Sequence, residues 1–369
     1  MAEKITGFWN RLLVPAAVLV LLASCGKDAE SVQPEARKSR LTVASTGSAG
    51  IDVKTPVIVK PQSFGMMVVD HDTYTPYQPY LNNIEAKAVG DSQDYTSWSF
   101  RYDGSSAWFD IIYLIEKKIG ASDFSHADIY AYAPFKKGVS SSQIVAMPYS
   151  LADQRDLMWA EQNKSDYNNH NILIDGGDKY VRFDFHHLLC KLQFCFRIKN
   201  SAPEQDPLNP EYGISTFYRV MGVTVTPKAN TLADTGTFNM RNGSFTRTAW
   251  RSTPYSITAT QVEKALTSIP EDGSYSEPVS MLINPRDPST PANSYADDDY
   301  VFDFRLYGQS SNLLHASYSM KMADLCYDGE HCGLVPGYAY TFYFTFDNYI
   351  HFDGATTVDW VTEDKEYGI

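Results

Sequence analysis

The stretch YAYTFYFTF, residues 338–346, constrains the fold more than any other part of the chain. Tyr338, Tyr340, Phe342, Phe344 and Phe346 fall on one parity, and Ala339, Thr341, Tyr343 and Thr345 on the other. Successive side chains of a strand point to opposite faces, so this spacing predicts a β-strand with its aromatic face on a core. VFDFRLY repeats the pattern, with Phe302, Phe304 and Leu306 inward and Asp303 and Arg305 outward. Both read as half-buried antiparallel strands. In KYVRFDFHHLLCKLQFCFRIK, Val181, Phe183 and Phe185 set one parity, whereas Leu188, Cys190, Leu192, Phe194, Phe196 and Ile198 set the other. The phase flips at His186-His187. A one-residue slip sends every side chain to the wrong face, so a bulge or bend is expected there.

Composition agrees with a β class, because 25 Tyr and 19 Phe stand among 22 Gly and 19 Pro, a balance that favours strands and turns. One segment departs from it: in AWFDIIYLIEKKIG, Trp108, Ile111, Ile112, Ile115 and Ile119 recur at helical spacing and Gly120 ends the run, which predicts a short helix capping a sandwich. A chain of 369 residues has room for two cores. The expected organisation is a leader at 1–24, a tether or propeptide at 25–55, a β-sandwich at 56–200, a linker at 201–213 and a second β-sandwich at 214–369. The linker is marked by Pro, Asn and acidic residues, and 284–300 reads as a long loop. The net charge of −13 argues against nucleic acid as a partner, since phosphate backbones need clustered Lys and Arg.

The leader assignment rests on VLVLLASCGKDAE. An apolar run from Leu12 to Ala23 follows Lys4 and Arg11 and is shorter than the ~20 residues a spanning helix needs, so it reads as a secretory signal. Its end, Leu22-Ala23-Ser24-Cys25, resembles the bacterial lipobox, which implies acylation of Cys25 and a tethered chain. Export permits disulfides, and Cys326 and Cys332, which enclose the turn-like YDGEH, are candidates for a local bridge. Cys190 and Cys195 have odd spacing on one strand and are not expected to pair with each other.

Motifs of chemistry are absent: there is no G-x-S-x-G, H-E-x-x-H, G-x-G-x-x-G or G-x-x-x-x-G-K-[ST]. His186 and His187 are adjacent on a strand and point apart, so packing is the expected role over metal ligation. Asp297, Asp298 and Asp299 lack EF-hand spacing and read as a solvated loop rather than a Ca²⁺ site. Trp98, Trp108, Trp159, Trp250 and Trp360 are expected as core anchors, with a sugar-stacking platform as the other use of exposed rings. No enzyme, cofactor or metal is expected.

In order along the chain, SFGMMVVDHD (63–72), SWSF (97–100), ADIYAYAPF (127–135), MPYSLADQRDLMWAE (147–161) and RFDFHHLLCKLQFCFRI (182–198) resemble the N-terminal domain of the fimbrillin family. GVTVT (222–226), DTGTFNM (234–240), LVPGYAYTFYFTF (334–346) and TTVDW (356–360) resemble its second half. The resemblance implies two transthyretin-like antiparallel β-sandwich domains and a pilus subunit of the Bacteroidetes type V kind, a lipoprotein precursor that polymerises head-to-tail with other subunits by donor-strand exchange. Gly26-Lys27-Asp28 is similar to the surface-export signal of such lipoproteins and implies the outer face of the outer membrane. Stalk subunits of the family are released by a cut after an arginine; Arg37 and Arg40 are the candidates, while the plug-strand candidates LTVAS and VIV lie beyond both. Stalk, anchor and tip roles stay open on this reading. Phe352, Val358 and Trp360 mark a donor or closing strand near the end of the chain. The alternative is a surface glycan-binding lipoprotein, with host or bacterial glycans or proteins as partners.

Overall fold

The computed structural model describes residues 36–45, 61–89, 97–117, 125–164, 167–199, 219–227, 233–250, 254–284, 300–307, 313–320, 334, 336–346 and 350–359. The strands of the first part are β1 (Lys38–Ser45), β2 (Ser63–Asp70), β3 (Ile84–Ala88), β4 (Trp98–Tyr102), β5 (Ile112–Ile115), β6 (Ser125–Ala133), β7 (Met147–Ser150), β8 (Met158–Glu161), β9 (Asn163–Lys164), β10 (Tyr167–Asn168), β11 (Ile172–Ile174) and β12 (Lys179–His187). Those that follow are β13 (Cys190–Ile198), β14 (Arg219–Pro227), β15 (Ala233–Phe238), β16 (Phe245–Trp250), β17 (Tyr255–Thr258), β18 (Thr267–Ser268), β19 (Val279–Ile283), β20 (Tyr300–Tyr307), β21 (Leu313–Met320), β22 (Tyr338–Phe346) and β23 (Ile350–Asp359). Among the described residues the helical elements are short 3-10 turns, none long and apolar enough to cross a membrane.

The first sheet runs β4-β3-β2-β6-β8-β12-β1-β5, with β11 paired to β6. β12 is its corner, since residues 179–183 run parallel to β1 and residues 184–187 antiparallel to β8. That turn encloses a core of Phe64, Met66, Val68, Phe183, Phe185, Leu41 and Val43. The ring of Phe64 stands edge-on to Trp98 at 4.7 Å and to Phe183 at 5.5 Å, the geometry aromatic quadrupoles favour.

The second core lies between the sheets β19-β13-β22-β23 and β17-β14-β20-β21, with β18 also pairing β14. The aromatic parity of YAYTFYFTF is observed: Tyr340, Phe342 and Phe344 are fully buried, as are Phe302 and Phe304 opposite them. Phe304 and Phe344 meet across the sheets at 4.9 Å, Phe194 and Phe302 at 5.0 Å. The pairing is not purely antiparallel, for β22 runs parallel to β13 and β1 parallel to β12.

β2 and β6 are buried on both faces. Phe64, Met66 and Val68 enter the first core while Met67 and Val69 enter the second, and β6 divides the same way between Ile129 and Ala131 on one side and Tyr130 and Tyr132 on the other. Two covered faces account for the near-continuous apolar runs at MMVV and IYAYA, where half-buried strands would alternate. The chain also ties its halves directly. β7 pairs with β15 in a three-stranded sheet completed by β16. The Gln154 amide donates to the Leu282 carbonyl at 2.9 Å and accepts from the Leu282 N–H at 2.8 Å, as a neighbouring strand would.

One expectation requires correction. The segment AWFDIIYLIEKKIG gives no helix at its apolar centre but the strand β5, with Ile112 and Leu114 buried, Tyr113 exposed and β1 as partner. Period-2 burial with a hydrogen-bonding neighbour outweighs the coincident 3.6 spacing. Of the bulge or bend expected near His186-His187 the bend is observed, between two strands and not within one. β12 ends at His187, and after Leu188-Leu189 the chain continues as β13, whose partners β19 and β22 lie in a different sheet. Residues 190–198, grouped by sequence with the first sandwich, thus pair with later strands. The expected linker at 201–213 lies outside the described residues.

Candidate functional site

The features that bear on assembly are the N-terminal strand and the edge formed by β23. In β1, alternation buries Ser39, Leu41 and Val43 and exposes Lys38 and Arg40. Its first half pairs antiparallel with β5, from Lys38 opposite Ile115 to Leu41 opposite Ile112. Its second half pairs parallel with β12, from Leu41 opposite Lys179 to Ser45 opposite Phe183. Leu41 alone has a partner on both sides, so β1 is the staple between two otherwise separate edges. Removing it uncovers Ile112, Leu114, Val181 and Phe183 together with unpaired backbone groups.

Of the two candidate processing residues, Arg37 precedes the strand and Arg40 lies within it. The Arg37 carbonyl accepts from the Glu116 N–H at 2.9 Å, and its side chain crosses Gly176, where a Cβ would come within 2.9 Å of the Arg37 Cβ. Gly176 has a φ of +93°, and its N–H donates to the buried Ser39 hydroxyl at 3.0 Å. Part of the segment read as a tether at 25–55 is therefore built into the first core.

β23 pairs antiparallel with β22 and forms the outer edge of its sheet among the described residues. Phe344 faces Phe352 and Tyr343 faces Gly354, which leaves Asp353 as an extra residue. Asp353 accepts the Tyr275 hydroxyl at 2.7 Å and a bond from Thr345, and lies 3.5 Å from the Arg197 guanidinium. The bulge flips the phase: Phe352 packs on Tyr318 at 5.1 Å and Phe344 at 5.5 Å, whereas Val358 is exposed. Trp360 lies outside the described residues, as do Cys25, Cys326, Cys332 and Asp297 to Asp299, while Trp250 ends β16 opposite Ala233.

His186 and His187 do not converge. His186 Nε2 lies 3.3 Å from Glu161 and buried His187 Nδ1 lies 2.7 Å from Asp156. Cys190 and Cys195 are buried and unbridged. Burial pushes both thiols up, Cys190 well above its ordinary value and Cys195 to about 11, with the Glu277 carboxylate adding to the latter. Trp98 is a core residue and Trp159 packs against the second core, while Trp108 is half exposed under the Arg101 guanidinium at 4.7 Å.

Residues 80–363 match the model of a protein family described as fimbrillin-like. No curated protein matches the chain significantly. Among solved structures, a candidate cell adhesion protein from Bacteroides uniformis aligns with a TM-score of 0.50 at 14% identity over 88% of this chain and 98% of its own, which supports a shared fold. A second candidate cell adhesion protein, from Bacteroides ovatus, aligns with a TM-score of 0.47 at 16% identity over 89% of this chain and 99% of its own. The tip fimbrial protein Mfa3 from Porphyromonas gingivalis aligns with a TM-score of 0.38 at 11% identity over 88% and 100%.

Proposed function

The chain belongs to the fimbrillin-like family, and from that premise we propose that it is a fimbrial subunit at the cell surface, anchored in the outer membrane by a lipid on Cys25 and retaining its own N-terminal strand. The observation that carries this reading is β1, which already fills the groove between β5 and β12. Arginine-directed cleavage, which the resemblance implies for stalk subunits, has Arg37 and Arg40 to act on, and no arginine lies between Arg40 and Arg101. A cut after Arg37 leaves β1 whole. A cut after Arg40 leaves residues 41–45, the half held by β12, with the buried Leu41 and Val43.

An open head-to-tail polymer requires each internal subunit both to give and to accept. A subunit whose groove stays filled by its own strand ends the filament, and a lipid on Cys25 places that end at the membrane. The edge of β23, unshared among the described residues, offers the neighbouring subunit a row of backbone groups for strand addition. No catalytic role is proposed.

The test is mass spectrometry of the chain's mature N-terminus in surface-sheared filaments and in the outer membrane. An acylated Cys25 terminus at the membrane-proximal end is expected, and Cys25→Ala should release the chain from the membrane. Filaments devoid of the chain, or an unacylated internal subunit beginning beyond Ser45, would overturn the reading.

A further inference from the structure

We propose that His71, Asp128 and His170 form a binding site for one divalent d-block cation of the Zn²⁺ class. His71 follows β2, Asp128 lies on β6 and His170 precedes β11, so three separate segments meet at one point. His71 Nδ1 lies 2.9 Å and His170 Nδ1 2.8 Å from the same oxygen, Asp128 Oδ1. The three ligand atoms all lie within 4.8 Å of one another, and the two rings meet at 4.7 Å and 62°, which brings both Nδ1 atoms to one side.

The backbone around each histidine is fixed independently of the imidazole. The His71 N–H donates to the His126 carbonyl at 3.2 Å, and the His170 N–H donates to Asn168 Oδ1 at 2.8 Å. On either side of His170, buried Asn169 accepts from the Ile129 N–H at 2.9 Å, and Asn171, at a φ of +57°, donates its N–H to Asp128 Oδ1 at 2.8 Å. The backbone thus holds both histidines at the carboxylate.

Charge points the same way. Asp128 is fully buried, and its partners among the described residues are the two histidines, the Asn171 N–H and the Tyr130 hydroxyl at 3.4 Å; no Lys or Arg pairs with it. A buried carboxylate lacking a permanent cation is costly, and a dication supplies that counter-charge. Two imidazoles and one carboxylate suit Zn²⁺, Co²⁺ or Ni²⁺ over Mg²⁺ or Ca²⁺, which prefer all-oxygen ligands. Tetrahedral ligands of Zn²⁺ lie roughly 3.3 Å apart, so each His–Asp separation has to open by about half an ångström. His71 and His170 are 26% and 41% exposed, which leaves the remaining position toward solvent and gives the ion a way in. Bound there, it links β2, β6 and the loop before β11.

The experiment is a Co²⁺ titration of the purified full chain, carrying no polyhistidine tag and stripped with chelator. Intense visible ligand-field bands saturating at one equivalent, displaced by Zn²⁺, are expected, together with a Zn²⁺-dependent rise in Tm. His71→Gln and His170→Gln should each weaken binding by at least about tenfold. The weak spectrum of aqueous cobalt in the unmodified chain overturns the site, as does binding unchanged in both variants. The unmodified chain decides the question even if a variant misfolds.

Discussion

The ring of Tyr132 on β6 lies over Gly65 on β2, in the space a Cβ at position 65 would occupy. The two residues are direct cross-strand partners. Tyr132 cannot move aside, because it is fully buried, its hydroxyl donates to Asn83 Oδ1 at 2.9 Å and it accepts from the Lys136 N–H at 3.3 Å. Gly65→Ala should therefore cost about 1–3 kcal/mol, the range for forcing atoms into a packed site. In a Tyr132→Ala background the same substitution should be close to neutral. Denaturant unfolding of the four chains measures the coupling, and additive effects would show that the ring is not what excludes the Cβ.

The groove under β1 makes a second expectation. Leu41 and Val43 are 3% and 6% exposed, and burying each contributes about 1.5–3 kcal/mol. A chain lacking residues 1–45 should lose stability on that scale and bind the peptide KSRLTVAS in trans. A peptide carrying Val43→Asp should not bind. Fluorescence anisotropy of labelled peptide is the readout; a truncated chain as stable as the intact one, with no peptide binding, would mean that β1 is dispensable.

The contrast between legible and hidden features follows from how local each signal is. Phe302, Phe304, Phe342 and Phe344 were readable because a half-buried strand writes its period into consecutive residues. At β5 the same local information served two periods, since Ile112 and Ile115 fit a helix as well as Ile112 and Leu114 fit a strand; the neighbouring β1 decided it. The discontinuity after His187 was visible as a change of phase, but parity carries no record of which sheet the next strand joins. The His71–Asp128 contact spans 57 residues and leaves no periodic trace at all.

The buried thiols of β13 should be inert. With the pKa of Cys195 raised to about 11 and that of Cys190 raised well above its ordinary value, the thiolate fraction of each at pH 8 is far below that of an exposed cysteine. Iodoacetamide at pH 8 should leave both unmodified in the native chain and label both in denaturant, with peptide mass spectrometry locating the adducts. Rapid native labelling of either would mean that the strand opens readily or that the packing around Phe194 and Phe196 is loose.

The last expectation separates the two sides of the bulge in β23. A strand without it would place Phe352 and Val358 on one face, since they are an even number of residues apart. The extra residue, Asp353, reverses the phase between them, and its bonds with Tyr275 and Thr345 hold it out of the ladder. Phe352→Ala should accordingly destabilise the chain by about 2–3 kcal/mol, somewhat less than a fully buried Phe because its ring is only partly covered. Val358, 54% exposed, should tolerate Ala within about 0.5 kcal/mol. Deleting Asp353 should bring Val358 onto the face of Phe352 and convert that tolerance into sensitivity. Denaturation midpoints of the three single changes and of the deletion combined with Val358→Ala test this. Equal losses from Phe352→Ala and Val358→Ala would place both side chains on the core and remove the bulge as the device that turns Val358 outward.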